Sequence, residues 1–266
     1  MDAELRNALW NVVTLAYWPN GDNQANYLPQ DVQLYSLCRW LWDRHFKRPI
    51  DTLPTDWYGA HQIIRSYFFQ CSWYEVYDFV EFIANNPNNS YSQVNTFFVK
   101  LCNDVLEREL SGYRFVGGLI TAVTQEEEIA EIEEAQQSTG SLKPVSGHIN
   151  RAVALLADRN TPDYRNSIKE SISAVEAICN LIAGSSSATL GHALGELDRQ
   201  NTIAMHPALT GAFKKLYGYT SNAEGIRHAL LDEPNLGFED AKFMLVSCSS
   251  FINYLKSKAA KAGIDL

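Results

Sequence analysis

The sequence predicts an all-α protein in two parts, and three observations carry that prediction. Apolar residues recur every three or four positions through almost the whole chain, turn residues separate these runs at short intervals, and only one short stretch alternates as a strand pair would. The first part is a helical domain over residues 1–140 with a small β-hairpin, and the second is an antiparallel helical bundle over residues 141–266. At 266 residues, 46% apolar and 20% charged, the chain has room for two modest cores.

The first run, Asp2 to Trp18, has Leu5, Leu9, Trp10, Val12, Val13 and Ala16 at helical spacing and stops at Pro19 and the Asn20-Gly21-Asp22-Asn23 turn. A second helix is expected from about Gln30 to Lys47, with Pro49 closing it. A third opens at Pro54 and Thr55 and ends near Gln70, and a fourth spans Ser72 to Asn86. Ser90 is placed to cap a fifth, which ends near Ser111. In YRFVGGLITAV the pattern changes, and Gly117-Gly118 between apolar flanks reads as a hairpin with a primed turn. No lysine follows the glycines at phosphate-loop spacing. The acidic run after Thr124 reads as a solvated connecting helix with a Thr124–Glu127 capping box.

Ser138 to Pro144 is the expected boundary, because charge balance changes there. Residues 1–142 hold 9 Lys and Arg against 19 Asp and Glu, whereas 143–266 hold 13 against 12. The second part begins with a helix from Ser146 to Arg159. Thr161-Pro162 then supplies a cap and a first-turn proline for the clearest helix, whose seam is Ile168, Ile172, Val175, Ile178 and either Cys179 or Ile182, with Gly184 to end it. Helices over Thr189–Gln200, Pro207–Leu216, Ala223–Leu231 and Phe238–Ala260 follow, the last burying Phe243, Leu245, Val246, Phe251 and Leu255.

Composition narrows the function. The net charge of -9 gives no broad electrostatic footprint for nucleic acid. There is no run of eighteen apolar residues and no basic, apolar leader, so a cytoplasmic protein without a membrane segment is expected. The five cysteines are odd in number, dispersed, and set in apolar patterns, which suits buried thiols. The histidines show no metal-ligand spacing, and neither metal nor cofactor is expected.

Two features invite chemistry. All six tryptophans fall by residue 73. With their neighbouring tyrosines they either pack a core or line a ligand pocket around Trp57, Trp73 and Tyr77. The other feature is YGYTSNAEGIRHALLD, read as a turn at Gly218, Thr220, Ser221 and Asn222 that opens a short helix bearing Arg227 and His228. A guanidinium beside an imidazole can hold a phosphate and move a proton near neutral pH. Arg39 with His45 and Arg199 with His206 have comparable spacing, at a frequency chance alone supplies.

The strings DYRNSIKESISAVEAICNLIAG, HPALTGAFKKLYGYTS, GIRHALLDEPN and FEDAKFMLVSCSSFINYL resemble the HEPN domain of AbiJ-like abortive-infection proteins. ELRNALWN, KRPIDTLP, SWYEVYDFVEFI, ERELSGYRFVGGLIT and EEEIAEIEEA are similar to the helical AbiJ N-terminal domain type 4. The resemblance implies a homodimer formed through the C-terminal bundle, RNA as target, and a phage or host trigger. It further implies metal-independent cleavage in which a ribose 2′-hydroxyl attacks its neighbouring phosphate. Arg227 matches the arginine of the family motif and His228 its polar position, but Asp232 stands where the motif histidine is expected. A carboxylate there repels phosphate and titrates near pH 4, a poor match to proton exchange at pH 7. The alternatives are His228 as the proton carrier across a two-fold interface, or a catalytically silent scaffold or sensor that works through the N-terminal domain.

Overall fold

The computed structural model describes residues 1–18, 28, 32–88, 91–137, 139–184, 190–200, 202–221 and 236–266. These form helices and one two-stranded sheet, so the all-α class with a small hairpin holds. Two compact units divide the chain, Met1–Ile120 and Thr121–Leu266.

In the first unit, α1 (Ala3–Tyr17) starts where the Asp2 carboxylate accepts from the Leu5 amide at 2.9 Å. It packs on α4 (Trp73–Ala84) and α5 (Ser92–Arg108). Tyr17 ties the three together, because its buried hydroxyl donates to the Ile83 carbonyl or to Asn95 Oδ1, at 3.1 and 2.7 Å. The expected second helix is α2 (Val32–Trp40), which continues as a π-helical turn over Leu41–His45. That widened turn carries Leu41 and Trp42 into the core and turns His45 towards α3 (Trp57–Gln70). Asp56, rather than Pro54 or Thr55, caps α3, its carboxylate accepting from the Gly59 amide at 2.7 Å. Ser90 lies outside the described residues, and Tyr91 occupies the N-cap of α5.

Strands β1 (Arg114–Val116) and β2 (Leu119–Thr121) form the expected hairpin. Gly117 and Gly118 have φ of 56° and 88°, the two left-handed positions of a type I′ turn. Asn103 fixes the hairpin to α5 by accepting from the Phe115 amide at 2.8 Å. Asn85 reaches it from α4, donating to the Gly118 carbonyl at 2.7 Å. A Cβ on Gly118 would lie 2.8 Å from Asn85 Oδ1. Gly118→Ala is therefore expected to cost about 1–2 kcal/mol in a denaturant melt, from left-handed strain and the displaced Asn85. Gly117→Asn, at an angle asparagine tolerates, should change little. Equal effects at the two sites would refute this account.

In the second unit, α6 (Glu126–Gln136) departs from the expected solvated connector. Gln125 is its N-cap, without the Thr124–Glu127 box, and Ile132 and Ala135 are buried. It packs on α11 (Phe238–Lys261) and α7 (Lys143–Ala157). The acidic run meets amines and an amide of α11. Lys242 pairs with Glu128 at 2.6 Å, and Asn253 Nδ2 donates to Glu131 Oε2 at 2.8 Å. Periodicity alone shows the acid-rich face, and the complementary lysines lie more than a hundred positions away.

Helices α7 and α8 (Tyr164–Ala183) form the most extensive pairing, buried through Ile149, Val153, Ile168, Ile172, Val175 and Ile178. Asp163, not Thr161, caps α8, since Asp158 already holds Thr161 in the preceding loop. Gly184 ends α8 at φ 60° as expected. After α9 (Leu190–Gln200), α10 (Pro207–Ser221) runs five residues beyond its expected end at Leu216. Gly218, Thr220 and Ser221 are thus helical rather than a turn. Packing overrides the glycine, because Tyr217 lies against Gly191 of α9, where a Cβ would be 3.9 Å from its ring. Phe243 is 60% exposed, contrary to the expected core position, because α11 buries the stripe through Ala241, Met244, Leu245 and Cys248 instead.

Candidate functional site

Arg227, His228 and Asp232 lie within 222–235, outside the described residues. The helices on either side are described. The His206 ring opens α10 by accepting from the Ala208 amide at its Nδ1, 3.1 Å away, so the capping role its position suggests is the one it has. Gly237 opens α11, its amide donating to Asp240 Oδ2 at 3.0 Å. Of the two alternative pairs, Arg199 is bound to Glu196 at 2.7 Å while His206 caps a helix. Arg39 lies over Tyr35, whereas His45 bonds Tyr67. Neither pair brings its guanidinium to its imidazole.

Of the two readings of the tryptophan cluster, a packed core or a ligand pocket around Trp57, Trp73 and Tyr77, the described residues of the first unit build the core. Trp57 is buried against Trp18 and His61. Trp73 packs with Tyr74, Tyr77 and Tyr113. The two clusters sit at opposite ends of α3, about 20 Å of helix apart, so most of the tryptophan density is core. A cleft of about 500 Å³ lies elsewhere, lined by Arg48, Ile63, Ser66, Tyr67, Gln70, Cys71 and Glu75.

Sequence order explains this cleft. Ile63, Ser66, Tyr67 and Gln70 stand at i, i+3, i+4 and i+7 and make one stripe of α3, while Ala60, Ile64 and Phe68 take the buried face. The π turn and Lys47, whose φ is 51°, deliver Arg48 to the cleft. Its guanidinium lies 5.6 Å from the ring centres of Trp42 and Phe46. Among the described residues Arg48 has no carboxylate partner, and the side chains of Ser66 and Gln70 make no hydrogen bonds. Glu75, in the first turn of α4, accepts from the Ser72 amide and hydroxyl at 2.8 and 2.7 Å, both through Oε2. Those bonds hold its carboxyl below the usual range.

Behind the stripe, His45 Nε2 and the Tyr67 hydroxyl are 3.2 Å apart. Burial keeps both neutral: it lowers the His45 pKa, against a smaller opposing effect of Asp78 and Glu75, and raises that of Tyr67. Burial likewise pushes the Cys71 thiol up to about 11, so it is a neutral donor to the Phe68 carbonyl and not a nucleophile. The His45 shift has a sign for stability. With the folded pKa below the unfolded value, its contribution is complete above about pH 6.5 and is lost as pH falls towards the folded pKa, by at most about 1.4 kcal/mol per pH unit. The melting temperature of the wild type should therefore fall more steeply from pH 7 to 5 than that of His45→Gln. Parallel curves would refute the assignment.

The cleft residues lack the aromatic density that marks the tryptophan cluster in the sequence. The available signal was a polar stripe on a helix whose other face is apolar. In the second unit, His148 Nδ1 lies 2.6 Å from Glu170 Oε2, with Arg151 at 3.8 Å from the same carboxylate, an ion-pair group between α7 and α8 that periodicity did not single out. Among the described residues no group of side chains suits a metal ion, and no helix is long and apolar enough to cross a membrane.

Residues 1–138 match the family model described as AbiJ N-terminal domain 4, which links the chain to abortive-infection defence against phage. No curated protein and no solved structure matches the chain.

Proposed function

Because the chain belongs to the AbiJ N-terminal domain 4 family, we propose that it is an abortive-infection protein whose second part is a HEPN-type bundle that cleaves RNA without metal. The observation that carries the reading is the arrangement of the chain. The family domain ends at 138, helices α7 to α11 follow it, and Arg227-His228 falls in the segment that joins the last two.

In the proposed reaction Arg227 holds the phosphate and offsets charge as the phosphorane forms. His228 takes the proton of the ribose 2′-hydroxyl, the 2′-oxygen bonds to phosphorus, the bond from phosphorus to the 5′-oxygen breaks, and that oxygen takes a proton from water. A cyclic 2′,3′-phosphate and a 5′-hydroxyl result. In the helix that the sequence predicts over Ala223–Leu231, adjacent residues would diverge by about 100°, and one chain would not clasp a phosphate with both. A homodimer formed by the second part would supply the arginine from one copy and the histidine from the other.

The test is incubation of a mixed RNA with the protein in a chelator. Fragments with cyclic phosphate ends support the nuclease. A second reading, favoured by Asp232 at the motif histidine's position, is a silent scaffold or sensor whose N-terminal domain recognises a phage or host component. Intact RNA after incubation with a demonstrably folded dimer would select it.

A further inference from the structure

The cleft of the first unit offers bonding capacity that the protein itself leaves unused. Arg48 presents an exposed guanidinium with no anionic partner among the described residues, in a unit that holds 13 Asp and Glu against 9 Lys and Arg. Its planar fork is suited to two oxygens of a phosphate. Glu75 spends only Oε2 on its helix cap, and Oε1 makes no hydrogen bond to a described residue. A carboxylate held in that way is an acceptor for neighbouring hydroxyls, the role an acidic side chain has towards a ribose in dinucleotide sites. Between them Ser66 and Gln70 can donate and accept, and Ile63 adds an apolar wall.

Volume and charge then restrict the ligand. The cleft is open to solvent on one side, with Arg48, Ser66 and Gln70 exposed at its rim, and its volume of about 500 Å³ is on the scale of a small molecule. One cation and one anion on the same cleft reject a ligand that is only negative, such as a polyphosphate, because Glu75 would repel it. They fit a molecule with a phosphate at one end and uncharged hydroxyls at the other. The left-handed Lys47 and the π turn also belong to this reading, since they are the irregularities that bring Arg48 to the cleft.

We propose that this cleft binds a phosphorylated ribose, with Arg48 on the phosphate and Glu75 on the vicinal hydroxyls. Its sources are a ribonucleoside monophosphate or a ribose phosphate, and the site gives the N-terminal domain a small-molecule input. The assignment does not depend on the nuclease reading.

Titration calorimetry on the full chain tests it with adenosine 5′-monophosphate, its 2′-deoxy analogue, ribose 5-phosphate and inorganic phosphate. The ribonucleotide should bind, and the deoxy analogue and inorganic phosphate should bind about ten-fold more weakly or not at all. Arg48→Gln should raise the Kd for the ribonucleotide about ten-fold or more. Glu75→Gln keeps an oxygen for the Ser72 cap, and should raise it for the ribonucleotide while changing the deoxy analogue little. Equal affinity for ribose 5-phosphate would identify the sugar phosphate as the source, and weaker affinity would identify the nucleotide. Absence of binding at millimolar concentration, affinity for phosphate alone equal to that for the ribonucleotide, or binding indifferent to both variants would each overturn the proposal. Circular dichroism of the variants distinguishes lost binding from lost fold.

Discussion

Arg227→Ala is expected to lower metal-independent RNA cleavage by about two orders of magnitude or more, and His228→Ala by a similar factor. A positioned proton carrier contributes about 10²–10⁴-fold, and a charge-stabilising donor aimed at the developing oxyanion about 10²–10³-fold. The two losses should not multiply in the double variant, because each residue is useful only with the other in place. Asp232→His should act in the opposite direction. It removes a carboxylate that repels phosphate and restores an imidazole at the position where the family motif carries one, so cleavage should rise. If all three variants cleave as the wild type does, the activity belongs elsewhere on the chain or to a contaminant. If only Asp232→His cleaves, the natural chain is the scaffold, and its motif is one substitution from activity. Mixing Arg227→Ala with His228→Ala protein provides a further check. A composite site would regain activity in mixed dimers, since one of the two symmetry-related sites would carry both intact residues.

The physical basis of the two halves differs in how much of it sequence reveals. Helices in the first unit are legible because their punctuation is local. The primed turn needs only Gly117 and Gly118 and Asp2 caps α1 through its own side chain, whereas at α3 the Pro54-Thr55 signal falls short of the cap that Asp56 provides. The π turn over Leu41–His45 is not legible, since its periodicity differs from that of an α-helix by one residue in a single turn, and it is that turn which positions His45 and leads to Arg48. The course of α10 through Gly218 fails for a different reason. A glycine and two hydroxyl residues predict a turn locally, and packing of Tyr217 at Gly191 of the preceding helix α9 prevails. The acidic α6 shows the same limit, because Glu128 and Glu131 find their partners on α11. The cleft combines both difficulties. Ser66, Tyr67 and Gln70 look like an ordinary wet helix face until Arg48, eighteen or more positions earlier, is seen to line the same space.

Trp42→Ala should be the most damaging single change in the first unit, at about 3–5 kcal/mol. Trp42 is fully buried, its Nε1 donates to Thr52 Oγ1 at 3.0 Å, and Thr52 in turn donates to the Pro49 carbonyl at 2.7 Å. Truncation leaves a void too large for neighbouring rings to fill and deprives Thr52 of its donor. It also removes the ring beneath the Arg48 guanidinium. Against a typical total of about 5–15 kcal/mol, such a loss brings the domain near its threshold. Trp42→Phe keeps most of the volume and loses the hydrogen bond, and should cost about 1–2 kcal/mol. Trp73→Ala, at a position 40% exposed, should cost less than Trp42→Ala. Tryptophan fluorescence is the suitable probe, because every tryptophan lies in the first unit and five remain after the substitution. The urea midpoint by fluorescence should fall sharply for Trp42→Ala, and ribonucleotide affinity should fall with it even under conditions where the variant is folded. A variant as stable as the wild type would mean that the π turn does not anchor the core. A destabilised variant that still binds with full affinity would separate Arg48 from its aromatic platform and leave the phosphate contact to the backbone geometry at Lys47.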